Sequence, residues 1–246
     1  GDRGQHPAAH IILNFSMPIA PDLPAAETAI VEMTNAFRKE HARTAVKPNA
    51  QLAAAARAYA KKLARTQAFS HTVGGSTPSD RAMKAGYAFC QIAENLASIY
   101  DSRGFTARNY AKRTVEGWEN SPGHRRNMLT PHVTEIGVAI ARAPTRDPKY
   151  VAVQLFGRPR ELKFTFKITN TTKNSVGYDF AGKNHVIEPR YTITHTSCEP
   201  GTISFQTGGR HDLKARYEAR DGQVYTLKPA RAGGVKVEPA PRTTAN

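Results

Sequence analysis

Trp118-Glu119-Asn120-Ser121-Pro122-Gly123-His124-Arg125-Arg126-Asn127-Met128-Leu129 sets a proline just after a tryptophan-bearing segment and a histidine just beyond it. A helix cannot run through Pro122 without losing a backbone hydrogen bond and clashing with the preceding turn. The segment therefore reads as a helix that ends at Pro122 and leaves His124 on an irregular loop. Flanked by Gly123 and two arginines, such a histidine is better placed to meet a ligand or a metal than to fill a core.

Two earlier stretches go with it, Phe69-Ser70-His71-Thr72 and Ala93-Glu94-Asn95-Leu96-Ala97. Together the three resemble the CAP superfamily of cysteine-rich secretory proteins, antigen 5 and plant pathogenesis-related class 1 proteins. The form WxxSPGHRxNML is similar to the bacterial branch. Asn35-Ala36-Phe37-Arg38 matches the NxxR of that family's first helix, Leu52 to Leu63 its second helix, and Glu135-Ile136-Gly137-Val138-Ala139 its first long strand. The likeness runs from about Ala25 to Pro159 with the motifs in the family's order, and nothing after Pro159 belongs to it.

The resemblance implies an α–β–α sandwich with a cleft holding His71, Glu94 and His124, each expected on its own loop. Two imidazoles and a carboxylate suit zinc or another divalent cation at an open site with three protein ligands and water. The family's full set is His-Glu-Glu-His, and its second glutamate falls three residues after the tryptophan. Here that position is Ser121, and neither Glu116 nor Glu119 matches it, so metal is expected to bind weakly. Ser121, Arg125 and Asn95 are expected to line the cleft. Taken without the family, the favoured readings are structural: His71 a residue hydrogen-bonded under a loop, Glu94 a local cap and His124 the holder of a bend. Ser121, His124 and Glu94 also contain the residue types of a hydrolase triad, but Ser121 lacks the G-x-S-x-G elbow that exposes such a nucleophile.

The formal net charge is +15, divided as +10 over residues 1–160 and +5 over 161–246. So basic a surface attracts polyanions, including anionic lipid and envelope polymers. No run of five or six basic residues, zinc-finger pattern or RNA-binding motif marks a dedicated nucleic-acid binder. No apolar run approaches the roughly 18 residues needed to span a bilayer. Cys90 and Cys198 make at most one bridge. An even count in an exported protein favours it, and one cysteine in each domain favours separate buried thiols. The expected location is secreted, periplasmic or at the cell surface.

Apolar periodicity supports an α+β chain. Ala26, Ala29, Ile30, Met33 and Phe37 recur at helical steps, as do Leu52, Ala56, Tyr59 and Leu63. Thr77-Pro78-Ser79-Asp80 starts a short helix that Gly86 stops, and a further helix runs from about Thr106 to Asn120 with Trp118 on its apolar side. Alternation then marks strands at Ile136–Ile140 and Val151–Phe156. From Glu161 the pattern is all-β, with strands near 162–168, 176–180, 190–196, 202–206 and 223–227, most simply a small sandwich. The expected organisation is an N-terminal arm or connector over 1–24, in which Ile11–Phe15 forms a strand or ordered arm. A CAP domain over 25–159, an all-β domain over 160–235 and a tail over 236–246 follow. His41, His132, His185, His195 and His211 lack a partner pattern and read as surface or core polar groups. The functional expectation is an envelope binding or adhesion module using the cleft and the basic surface; the alternative is a divalent-metal-dependent hydrolase of peptide, phosphodiester or wall polymer.

Overall fold

The computed structural model describes residues 16–208 and 215–241. Ile11–Phe15 and His211, about which the sequence raises expectations, lie outside them. Helix α1 (Leu23–Glu40) starts where the Asp22 carboxylate accepts from the Ala25 N–H at 3.1 Å, with a proline in its first turn. Ala26, Ile30, Thr34 and Phe37 form its buried stripe. Helix α2 (Ala50–Thr66) is capped by Asn49 and buries four alanines with Leu52, Tyr59 and Leu63. Helix α3 (Pro78–Lys84) opens with a complete capping box between Thr77 and Asp80.

The first sheet contains β1 (Lys47–Pro48), β2 (Phe89–Tyr100), β3 (Glu135–Arg142) and β4 (Lys149–Pro159), in the order β1-β3-β4-β2. One face packs on α1, α4 (Ala107–Glu119) and α5 (Pro122–Met128) through Ile136, Val138 and Ile140. The other packs on α2 and α3 through Ala139, Ala141, Val151, Val153 and Leu155. Helices on both faces of one sheet give the expected α–β–α sandwich. Gly137 explains how α2 lies so close: a Cβ there would collide with the backbone of Leu52 and Ala53. The alternation read along β3 therefore separates large from small residues rather than buried from exposed ones, and along β4 it divides Tyr150, Ala152 and Phe156 from Val151, Val153 and Leu155, because both faces are covered.

Pro122 stops α4 but also starts α5, since a missing N–H and a fixed φ suit the first helical position. His124 thus sits on a short helix and not on an irregular loop. Glu94 lies on β2, again not on a loop. Only His71 occupies a turn.

After Pro159 two four-stranded sheets enclose a second core of Phe166, Ile168, Tyr178, Phe205, Tyr225 and Leu227. One contains β5 (Phe164–Asn170), β8 (Thr192–Ser197), β11 (Gln223–Pro229) and β12 (Val235–Pro241), in the order β12-β11-β5-β8. The other contains β6 (Val176–Phe180), β7 (Lys183–Ile187), β9 (Thr202–Phe205) and β10 (Ala215–Glu218), in the order β10-β9-β6-β7. The expected tail over 236–246 needs correction at 236–241, which continues β12 from Val235 and pairs antiparallel with β11. Its prolines point to a tail in the sequence; an edge strand tolerates them because it has one side without a partner.

Cys90 on β2 and Cys198 after β8 form a disulfide with Cα atoms 5.8 Å apart. Beside it Arg158, at the end of β4, donates to the Cys198 carbonyl at 2.7 Å and to that of His132 at 2.9 Å. The two sequence alternatives for the cysteines are resolved toward the bridge, which joins the first sheet to the second core.

His195 on β8 reaches across to β6 and meets the Tyr178 hydroxyl at 2.6 Å, with the His185 ring 5.0 Å away. Burial first, and His185 second, lower its pKa below 6.5. Protons then bind the unfolded chain more readily than the native one, so this contribution is intact above pH 6.5 and fades as pH falls through the lower native value. Urea midpoints measured from pH 7.5 to 5 should drop less in His195→Gln than in the parent. Parallel slopes would exclude the residue as a source of acid sensitivity.

Candidate functional site

Glu94 occupies a buried position on β2, its side chain 1% exposed, and such a charge needs partners. Arg81, from the first half of α3, supplies them. Its Nη1 donates to Oε2 at 2.5 Å and its Nη2 to Oε1 at 3.2 Å, a two-pronged hold. The same Nη2 donates to the His71 carbonyl at 2.6 Å, and the guanidinium lies 3.3 Å from the Tyr59 ring centroid. The Tyr59 hydroxyl donates to the Ser70 carbonyl and accepts from Val73 N–H at 3.0 Å, which shapes the turn bearing His71.

His71 Nδ1 donates to Glu94 Oε1 at 2.8 Å, because an ionised carboxylate only accepts. In the neutral ring Nε2 is left as the acceptor, on a side chain that is 52% exposed. His124 Nδ1 lies 2.8 Å from the Ser121 hydroxyl. Burial is the main cause of its lowered pKa and His71 the second, so the two imidazoles sense one another.

A polar lattice sets α5 against β2. Asn127 Nδ2 donates to the Glu94 carbonyl at 2.9 Å and to Asn95 Oδ1 at 3.0 Å, while Asn95 Nδ2 donates to the His124 carbonyl at 3.1 Å. Asn95 Nδ2 also donates to Gln154 on β4 at 3.0 Å, and Gln154 to Thr34 on α1 at 2.9 Å. From α4, Trp118 Nε1 donates to the Leu96 carbonyl at 2.9 Å.

The expected cleft residues therefore separate. Ser121 stands beside His124. Asn95 is fully buried and does not line an open surface; it joins β2 to α5 and β4. Arg125 turns to α1, with Nη2 2.9 Å from His41 Nε2 and its guanidinium 4.9 Å from the Phe37 ring. Arg81 and Asn127 escape the sequence reading. The available signal was physical: a carboxylate in the apolar run Ala-Glu-Asn-Leu-Ala requires a cation nearby.

The residues as they stand do not fit a resident divalent ion. Both oxygens of the carboxylate are held by a permanent cation and an imidazole, and an incoming metal would meet that guanidinium. Among the described residues no group of three or more His, Cys, Asp or Glu side chains is disposed to hold a metal. The residue types of a triad are also split, because Ser121 pairs with His124 whereas Glu94 pairs with His71.

The cysteine-rich secretory protein family model, CAP, matches residues 31–156. The chain belongs to the CAP family. Its CAP region is 29% identical over 135 residues to the uncharacterized Bacillus subtilis protein YkwD, covering 54% of this chain and 49% of that one. It is 32% identical over 103 residues to an uncharacterized Borreliella burgdorferi protein, covering 42% and 59%. The chain thus spans about half the length of the curated relatives it matches. Among solved structures it is similar to an outer surface protein from Borrelia burgdorferi, with a TM-score of 0.49 and 24% identity over 58% of this chain and 100% of that one. No helix of the described residues is long and apolar enough to cross a membrane.

Proposed function

We propose that this CAP protein is a non-catalytic binding module that works outside the cytoplasm and adheres to anionic envelope polymer or lipid. The observation that carries the reading is the Arg81 hold on Glu94. It occupies the carboxylate that a metal hydrolase would use as ligand or general base, and leaves the His71 and His124 rings as oriented hydrogen-bonding groups. The disulfide supports an oxidising compartment. The excess of +15 supplies attraction at a distance, and salt screens such attraction within about 8 Å at physiological ionic strength.

Binding to vesicles rich in phosphatidylglycerol, followed by co-sedimentation, should weaken roughly tenfold or more between low and high salt. It should persist in His71→Ala. Retention that ignores salt but disappears in His71→Ala would sink the adhesive reading. So would zinc-dependent turnover of a peptide or phosphodiester substrate that is lost in both His71→Ala and His124→Ala.

A further inference from the structure

A cavity of about 640 Å³ lies between α2, α3 and the turn that joins them. Tyr59 and Arg81 form part of its wall, so it adjoins the cleft, but its other residues take no part in the Glu94 site. Its floor is apolar, with Ala54 and Ala58 facing solvent from α2 beside Tyr59. These exposed alanines leave hydrocarbon for a ligand to cover.

The rim is cationic. Lys62, Arg65 and Lys84 line the cavity, and none of them has an ion-pair partner among the described residues. The only carboxylate on the wall, Asp80, is already committed to the α3 capping box, where Oδ2 accepts from Thr77 N–H at 3.0 Å. Gly74, at φ +76°, leaves the space that the Lys62 ammonium fills, since a Cβ there would overlap it. Arg81 on the wall is held by Glu94 and the His71 carbonyl, so the rim cations are what the cavity offers an anion. Three cations without ion-pair partners around an apolar floor suit an anion with several oxygens and a hydrocarbon neighbour.

We infer that this cavity is a binding site for a phosphomonoester head that carries a short alkyl chain. The inference deepens the envelope-binding reading by giving it a site and a ligand chemistry. The phosphate binds through Lys62, Arg65 and Lys84, and the first methylenes cover Ala54 and Ala58. The same head could come from a free alkyl phosphate or from a phosphatidic acid headgroup in a membrane.

The test is calorimetric titration of the full chain with hexyl phosphate and with inorganic phosphate, beside sedimentation with phosphatidylcholine vesicles holding phosphatidic acid. Hexyl phosphate should bind about tenfold more tightly than inorganic phosphate, since a few covered methylenes suffice for that factor. The exposed triple variant Lys62→Gln/Arg65→Gln/Lys84→Gln should weaken it at least tenfold. The control Lys163→Gln/Lys167→Gln/Lys183→Gln, which removes equal charge from and just before the second core's sheets, should leave it unchanged. Equal losses in both variants, or equal affinity for the two phosphates, overturn the site. If hexyl phosphate fails but vesicle binding is lost only in the first variant, the head is recognised in a membrane and the site stands. If neither probe binds, the site falls. Vesicle binding weakened alike by both variants would retain the adhesive surface and refute the cavity, whereas hexyl phosphate binding without vesicle binding would do the reverse.

Discussion

Arg81→Met should destabilise the chain by about 3–5 kcal/mol, the usual cost of stranding one member of a buried ion pair. Glu94 is 1% exposed and cannot recover its lost partner from water without the sheet opening. Glu94→Gln alone should cost less, because it leaves a guanidinium that is 10% exposed, and that still has the His71 carbonyl and the Tyr59 ring. The double variant Arg81→Met/Glu94→Gln should regain much of the loss, since neither charge is left unpaired. Urea unfolding followed by the fluorescence of Trp118, the single tryptophan, measures all three on a reporter bonded to the same strand. Additive losses in the double variant would mean that the two side chains do not act as a pair.

Opening the Cys90–Cys198 bridge is the other large perturbation. It closes a loop with a sequence separation of 108, for which loop entropy alone gives about 4–5 kcal/mol. At roughly 2–4 °C per kcal/mol for a chain of this size, Cys90→Ser/Cys198→Ser should melt about 10–20 °C lower than the oxidised parent. The variant should also separate into two transitions, because the links then left between the helical sandwich and the all-β core among the described residues include the Arg158 hydrogen bond and the chain connection near Pro159 rather than a covalent bridge. A single, unshifted transition would show that the bridge constrains nothing the rest of the fold does not already hold.

The sequence is most informative where one physical rule dominates. Apolar stripes place α1, α2 and α4, and the Thr77-Pro78 pair places α3. Strict alternation locates most of the second core's strands. It fails where a residue admits two readings. Pro122 forbids one helix and initiates the next, so a reading of the first effect alone puts His124 on a loop. The prolines near Val235–Pro241 suggest a tail, but an edge strand accommodates them. Lys183–Ile187 and Ala215–Glu218 escape notice because short edge strands with exposed charge carry little apolar pattern. Of the candidate site, His71, Glu94, Ser121 and His124 are legible through their family motifs. Arg81 is not, because the pairing of a helix residue with a strand residue thirteen positions on depends on how α3 lies against β2, which no local pattern encodes.

The Arg81 guanidinium also changes what the cleft depends on. A metal-charged site is only as full as the surroundings permit: it empties under a chelator, competes for scarce ions and can take up the wrong one. A guanidinium is synthesised with the chain and cannot be scavenged. The charge beside Glu94 is therefore inherited rather than recruited, and it is the same in a metal-starved medium as in a rich one.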